Sequence, residues 1–153
     1  MLKLTSTALV LSLALVTVAG CGGTSKEDFA KEADQICKDV EKNIQQIGQG
    51  GTRTPQQAGS QIDKVEKESQ DGVKRLRDLE RPSGDDGETA KKFVDSLDKE
   101  LNQQAIPALE ELEKAVRDKD RGAATQALQK LQALENTESD RYARELGADD
   151  CVN

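Results

Sequence analysis

From Phe29 onward, apolar residues recur every three or four positions. Phe29, Ala33, Ile36, Cys37, Val40, Ile44 and Ile47 make one stripe, the spacing of an amphipathic helix. Thr24-x-x-Glu27 and Ser25-x-x-Asp28 precede it as alternative capping-box starts. The glycines around Gly48–Gly51 break it. Thr54-Pro55 with Gln57 at the third helical position restarts a helix. Its stripe is Ala58, Ile62, Val65, Ser69, Gly72, Val73, Leu76 and Leu79. A glycine inside a helix costs about 1 kcal/mol relative to Ala, so close packing is the expected reason for Gly72. After a turn at 81–86, Asp85 or Asp86 is expected to cap a third helix. Ala90, Phe93, Val94, Leu97, Leu101, Ala105, Ala108, Leu112, Ala115 and Val116 carry that helix's stripe. Pro107 lies inside it and cannot donate to the carbonyl of Gln103, which predicts a kink or short break over 103–107. A fourth helix is predicted from about Ala123, with Ala124, Leu128, Leu131, Leu134, Tyr142 and Leu146 inward and Gly147 as the C′ residue. No segment alternates with strand period. Four amphipathic stretches with three short connections predict an all-α fold, an antiparallel up-down four-helix bundle. A three-helix bundle with a detached last helix is the alternative.

The first twenty residues follow another pattern. Lys3 supplies one positive charge, and Ala8 to Val18 is an almost unbroken apolar run. A run of this length is too short for a transmembrane helix, which needs about 20 residues. A basic start, a short apolar middle and a small-residue exit form the secretory pattern. The exit, Val18-Ala19-Gly20-Cys21, resembles the lipobox of bacterial lipoproteins. That resemblance implies a diacylglyceryl group on the Cys21 thiol, cleavage between Gly20 and Cys21, and acylation of the new amine by a palmitate-type chain. It divides the chain into a cleaved signal peptide (1–20), a lipidated anchor with a short linker (21–25) and a helical-bundle domain (26–153). Two or more acyl chains give stable anchoring where one binds marginally, at ~0.8 kcal/mol per buried CH₂. The implied address is the cell membrane, lipid-anchored on its extracytoplasmic side.

Trimming changes the charge and the cysteine count. Residues 1–20 hold one Lys and no acid, so the net charge moves from −7 to −8. That balance opposes nucleic-acid binding, which needs a basic face, and electrostatic docking on anionic lipid. The remainder has no Trp, one Tyr and two Phe, so its core must come from Leu, Ile, Val and Ala. Two cysteines are left, Cys37 and Cys151, and an even pair in an exported domain predicts a disulfide. Turn centres near 51, 84 and 119 put Cys37 level with Val65, Gln103 and Asn136. The fourth helix then runs about 15 Å past Asn136, and an extended tail reaches back ~16 Å, enough to bring Cys151 to Cys37 on the first helix. The same estimate sets Gln103 and Gln104 opposite Asn136 beside Pro107, as a candidate polar notch with a plain solvated patch as the alternative.

Candidate chemistry is sparse. The chain contains no His, which removes His-based triads, His haem ligation and the usual zinc and copper sites, together with Glu-x-x-His di-iron pairs. Asp118-x-Asp120-x-Gly122 fails the calcium-loop pattern at positions five, six and twelve, and a helix cap explains it better. The acidic clusters Asp85/Asp86/Glu88, Glu110/Glu111/Glu113 and Asp149/Asp150 fit helix ends or faces with i,i+4 partners such as Glu113/Arg117. No metal site and no cofactor beyond the covalent lipid is expected. Ala33-Asp34-Gln35-Ile36-Cys37 and the tail from Glu145 to Cys151 resemble a loose class of small helical bacterial lipoproteins, which implies architecture and no activity. The functional expectation is a non-enzymatic binding or structural module of the cell envelope, whose partner is an envelope protein or a cell-wall component. An envelope chaperone or lipid-handling helper is the alternative, and a carboxylate-dependent hydrolase ranks last.

Overall fold

Ser25 decides between the two candidate starts of the first helix. Its hydroxyl accepts from the Asp28 backbone N–H at 3.1 Å, which satisfies one of the helix's orphan donors. Helix α1 then spans Lys26–Gln49. The computed structural model describes residues 23–51, 54–135 and 137–152. Helix α2 (Pro55–Asp78) opens with the predicted capping box. Gln57 N–H donates to Thr54 Oγ1 and Thr54 N–H to Gln57 Oε1, both at 3.2 Å. Helix α3 (Gly84–Glu100) follows Ser83, so Asp85 and Asp86 lie within its first turn and do not cap it. There they complement the dipole.

Pro107 produces a change of helix type where an interruption was expected. Leu101–Ala105 forms a π turn, with Ile106 N–H reaching Leu101 O, and α4 (Ile106–Asp118) continues the rod. Widening the turn relieves the pyrrolidine ring against the preceding carbonyl, the usual cost of proline within a helix. Lys119 adopts the left-handed conformation (φ 57°) and ends α4. The Asp120 carboxylate then accepts from Ala123 N–H at 3.0 Å and starts α5 (Arg121–Gln132).

The predicted fourth helix is two helices. After α5 the chain turns, and α6 (Glu138–Leu146) starts again behind Thr137. Among the described residues the fold is all-α, with five helical rods in place of four, the α3–π–α4 rod counted once. The break has a local cause: Thr137-x-x-Asp140 is itself a capping sequence, and Thr137 N–H donates to the Asp140 carboxylate at 2.9 Å. One face therefore cannot run from 123 to 146. Leu128, expected inward, is 48% exposed, and Ala127 is buried instead.

Paired cross-links show that α1 runs antiparallel to α2, and α3 antiparallel to α6. Asp39 pairs with Arg75 at 3.0 Å and Asn43 Nδ2 donates to Glu68 at 2.7 Å across α1 and α2. Arg77–Asp98 ties α2 to α3, Thr89–Glu145 ties α3 to α6, and Glu111–Lys130 ties α4 to α5. The α1–α2 register differs from the turn-centre estimate, because Asp39 meets Arg75 where the estimate set Cys37 beside Val65. Helix α2 is displaced along α1 by nearly three turns from that estimate.

The two ends of the bundle are packed unequally. At the end holding the start of α1, the helices α1, α2, α3 and α6 close a ring around Phe29, Ala33, Leu76, Ala90, Phe93, Val94, Ala143 and Leu146. Alanines at 33, 90 and 143 let the backbones approach around the two phenylalanines. At the other end α5 packs on α4 and the π turn, and α1 packs on α2. There Ile44, Ile47, Ile62, Val65, Leu112, Val116 and Leu131 stay half-buried.

Candidate functional site

Residues 1–22 lie outside the described residues, and so do Gly20 and Cys21 of the expected processing and lipidation site. The described chain starts at Gly23, beside Glu80, at the densely packed end. Whatever precedes Gly23 therefore joins the bundle next to the α2–α3 turn.

The same end carries the tail clamp. Cys37 and Cys151 form a disulfide across 114 residues, with a Cα–Cα distance of 5.2 Å. The tail is compact, whereas the reach estimate had it extended. Gly147 takes the left-handed conformation (φ 82°), Ala148 N–H bonds to Ala143 O at 2.9 Å, and Asp149–Cys151 makes one 3₁₀ turn. This helix ending needs a residue without a Cβ penalty. Ala148 is fully buried. Asp150 ties the turn to α1 twice: its N–H donates to Asp34 Oδ1 at 2.9 Å and its carboxylate meets Lys38 Nζ at 2.6 Å. The hydrogen bond to Asp150, then that residue's charge, raises the Lys38 ammonium above its ordinary value. At the next residue, the hydrogen bond from Arg75 and then that from Gln35 hold Asp39 below the usual carboxylate range.

The polar notch is not assembled where it was expected. Gln103 and Gln104 are exposed, and Asn136 lies outside the described residues. The buried polar cluster sits one turn earlier, on Glu100. Its carboxylate accepts from Thr137 Oγ1 at 2.9 Å, from Ser139 N–H at 3.2 Å and from Ser139 Oγ. Ser139 and Asp140 are almost completely buried. Glu100 thus latches the start of α6 to the end of α3, with its negative charge at the positive end of the helix. Sequence reasoning missed it because the partner is 37 residues away. The polar run before Tyr142 was the one visible sign. The buried serine makes a hydrogen bond to a carboxylate, but the pair is enclosed and serves α6 as a cap.

No family model, curated protein or solved structure matches this chain. The residues therefore stand by themselves. The acidic clusters have structural partners: Glu113 pairs with Arg117, Glu111 with Lys130 and Asp86 with Lys26. Among the described residues, no group of three His, Cys, Asp or Glu side chains converges as a metal site, and no helix is long and apolar enough to cross a membrane.

One open concavity lies at the loosely packed end. It is an open cleft between the end of α1 and the start of α2, lined by Asn43, Gln46, Ile47, Gln56, Ser60 and Gln61, among others. Gly50 and Gly51 also line it. Gln61 Nε2 donates weakly to Gly51 O at 3.4 Å. The side chains of Gln46, Gln56 and Ser60 make no hydrogen bond among the described residues, which leaves two amides and a hydroxyl facing solvent.

Proposed function

We propose that this chain is a lipid-anchored, non-enzymatic binding or structural module of the bacterial cell envelope. The observation that carries the reading is Val18-Ala19-Gly20-Cys21 directly after the apolar run Ala8–Val18. The Cys37–Cys151 disulfide supports it, since such bonds persist in oxidising compartments outside the cytosol. The position of Gly23 adds a geometric argument. A tether from Cys21 to Lys26 spans at most about 17 Å, so the clamped end faces the membrane. With 24 residues in α1, the amide-lined cleft stands about 36 Å further out. In this reading α5 and α6 together serve as the fourth rod of an up-down bundle. The carboxylates engaged as caps and ion pairs favour a non-enzymatic role. The chaperone alternative has weaker support, because Leu128 is the one large apolar side chain exposed among the described residues.

Metabolic labelling with an alkynyl fatty acid, followed by mass spectrometry of the N-terminal peptide, tests the reading. The expected result is a labelled, membrane-associated chain beginning at Cys21, and loss of label in Cys21→Ser. An unlabelled chain that keeps Met1 overturns it.

A further inference from the structure

The far end of the bundle differs from the rest of the surface in kind. Residues 43–61 and 122–134 hold only two charged side chains, Arg53 and Lys130, in a chain of which 33% is charged. The same two stretches hold nine of its thirteen glutamines. Helix surfaces elsewhere on the molecule use Lys, Glu, Asp and Arg; here they use amides. Solubility alone does not call for the exchange, since charges serve it better.

From this composition and the cleft we infer a binding site for a neutral, N-acylated glycan, held between the end of α1 and the start of α2. The inference deepens the envelope-module reading and rests on it for the physiological setting. Each amide presents a donor and an acceptor a fixed distance apart. Hydroxyl and acetamido groups present the same pair, so Gln46, Gln56 and Ser60 match them without an ion. Ile47 supplies an apolar patch on which the C–H face of a sugar ring can lie. Two charged residues, Lys64 and Glu68, border the cleft, and the Glu68 carboxylate is already engaged by Asn43, which lowers its pull on cations.

Other partners fit less well. Protein hot spots are enriched in Trp, Tyr and Arg; this chain has no Trp, and its one Tyr, Tyr142, packs against the core of the opposite end. Nucleic acid needs a row of cations, which the cleft lacks. A lipid surface would meet the anchored end instead. With no aromatic platform, single-site affinity is weak. An array of copies held on one membrane compensates through effective concentration against a polymer.

Co-sedimentation of the full chain in nonionic detergent tests the inference. The probes are chitin, a neutral poly-N-acetylated glycan, and cellulose, which lacks the acetamido group. The chain is expected to sediment with chitin more than with cellulose, unchanged between about 0.05 and 0.5 M salt. The triple variant Gln46→Ala, Gln56→Ala, Ser60→Ala should bind about tenfold more weakly, near 1.4 kcal/mol. Helicity and an intact disulfide confirm that the variant is folded, and Gln126→Ala on α5 should bind normally. No sedimentation with chitin, loss of binding in salt, or full binding by the triple variant overturns the site. The detergent assay does not need the anchor, so failure here with lipid present on Cys21 leaves the envelope reading standing. Chitin binding without that lipid would overturn the anchor alone.

Discussion

The clamped end and the amide-lined end share α1, α2 and the α3–α4 rod, yet one is closed and the other is open. At the clamped end α6 and the tail complete the ring, and Phe29, Phe93 and Val94 are fully buried. At the other end the same α1 and α2 leave Ile44, Ile47, Ile62 and Val65 half-buried. Both phenylalanines sit at the closed end, but the difference has a further source. It lies in what joins the last rod to the first: a disulfide, an ion pair and a backbone hydrogen bond at one end, and no close packing of α5 on α1 among the described residues at the other. A bundle with few aromatics can concentrate its stability where a covalent bond closes it, and leave the opposite surface available for binding.

The largest way to break this contrast is to cut the clamp. Cys37→Ser or Cys151→Ser opens a loop of 114 residues, and chain-entropy arguments put the loss near 4–5 kcal/mol. Urea unfolding with and without reductant measures it, and a loss below about 1 kcal/mol would show the clamp to be incidental. Next come matched truncations. Leu76→Ala, in the closed core, should cost about 3 kcal/mol, whereas Leu128→Ala, on exposed α5, should stay within about 0.5 kcal/mol. Equal costs would erase the distinction between the ends.

Glu100→Ala removes the latch on α6 and leaves the buried Ser139 hydroxyl without its acceptor. A loss of about 2 kcal/mol is expected, read by chemical denaturation, with Glu100→Gln recovering part of it as a neutral acceptor. Gly72→Ala is the smallest and the most finely balanced. Alanine gains about 1 kcal/mol of helix propensity. A Cβ there would stand 2.6 Å from Val40 Cγ2, and overpacking of this sort costs about 1–3 kcal/mol. Because valine is stiff at χ1, the clash should win by about 1 kcal/mol, measured as a lower denaturation midpoint.

What could be read from the sequence was local. Thr54, Pro55 and Gln57 announce the start of α2 because a capping box lies within four residues. Pro107 marks its irregularity by a missing donor, and cysteine parity gives the disulfide without any geometry. Asp120 was legible as a cap for the same reason as Thr54. The break before α6 was also written locally, in Thr137-x-x-Asp140, but the apolar pattern from Ala124 to Leu146 outweighed it. Glu100 could not be found this way, since nothing near it in sequence requires a partner at 137–139. The register of α1 on α2 was equally hidden, because apolar spacing alone does not fix where two smooth stripes meet. The candidate notch inherited both errors: Gln103 and Gln104 lie on the exposed face one turn beyond the cluster that forms.

Native-state hydrogen exchange of the disulfide-bonded chain tests the unequal closure most directly. Amides at the start of α1, in α3 and in α6 should exchange only on global unfolding. Those of α5 and of the first turns of α2 should open several kcal/mol more easily, as low-stability units of a structure do. Reduction of Cys37–Cys151 should then bring α6 down to the level of α5. Uniform protection across both ends, unchanged by reduction, would contradict the account.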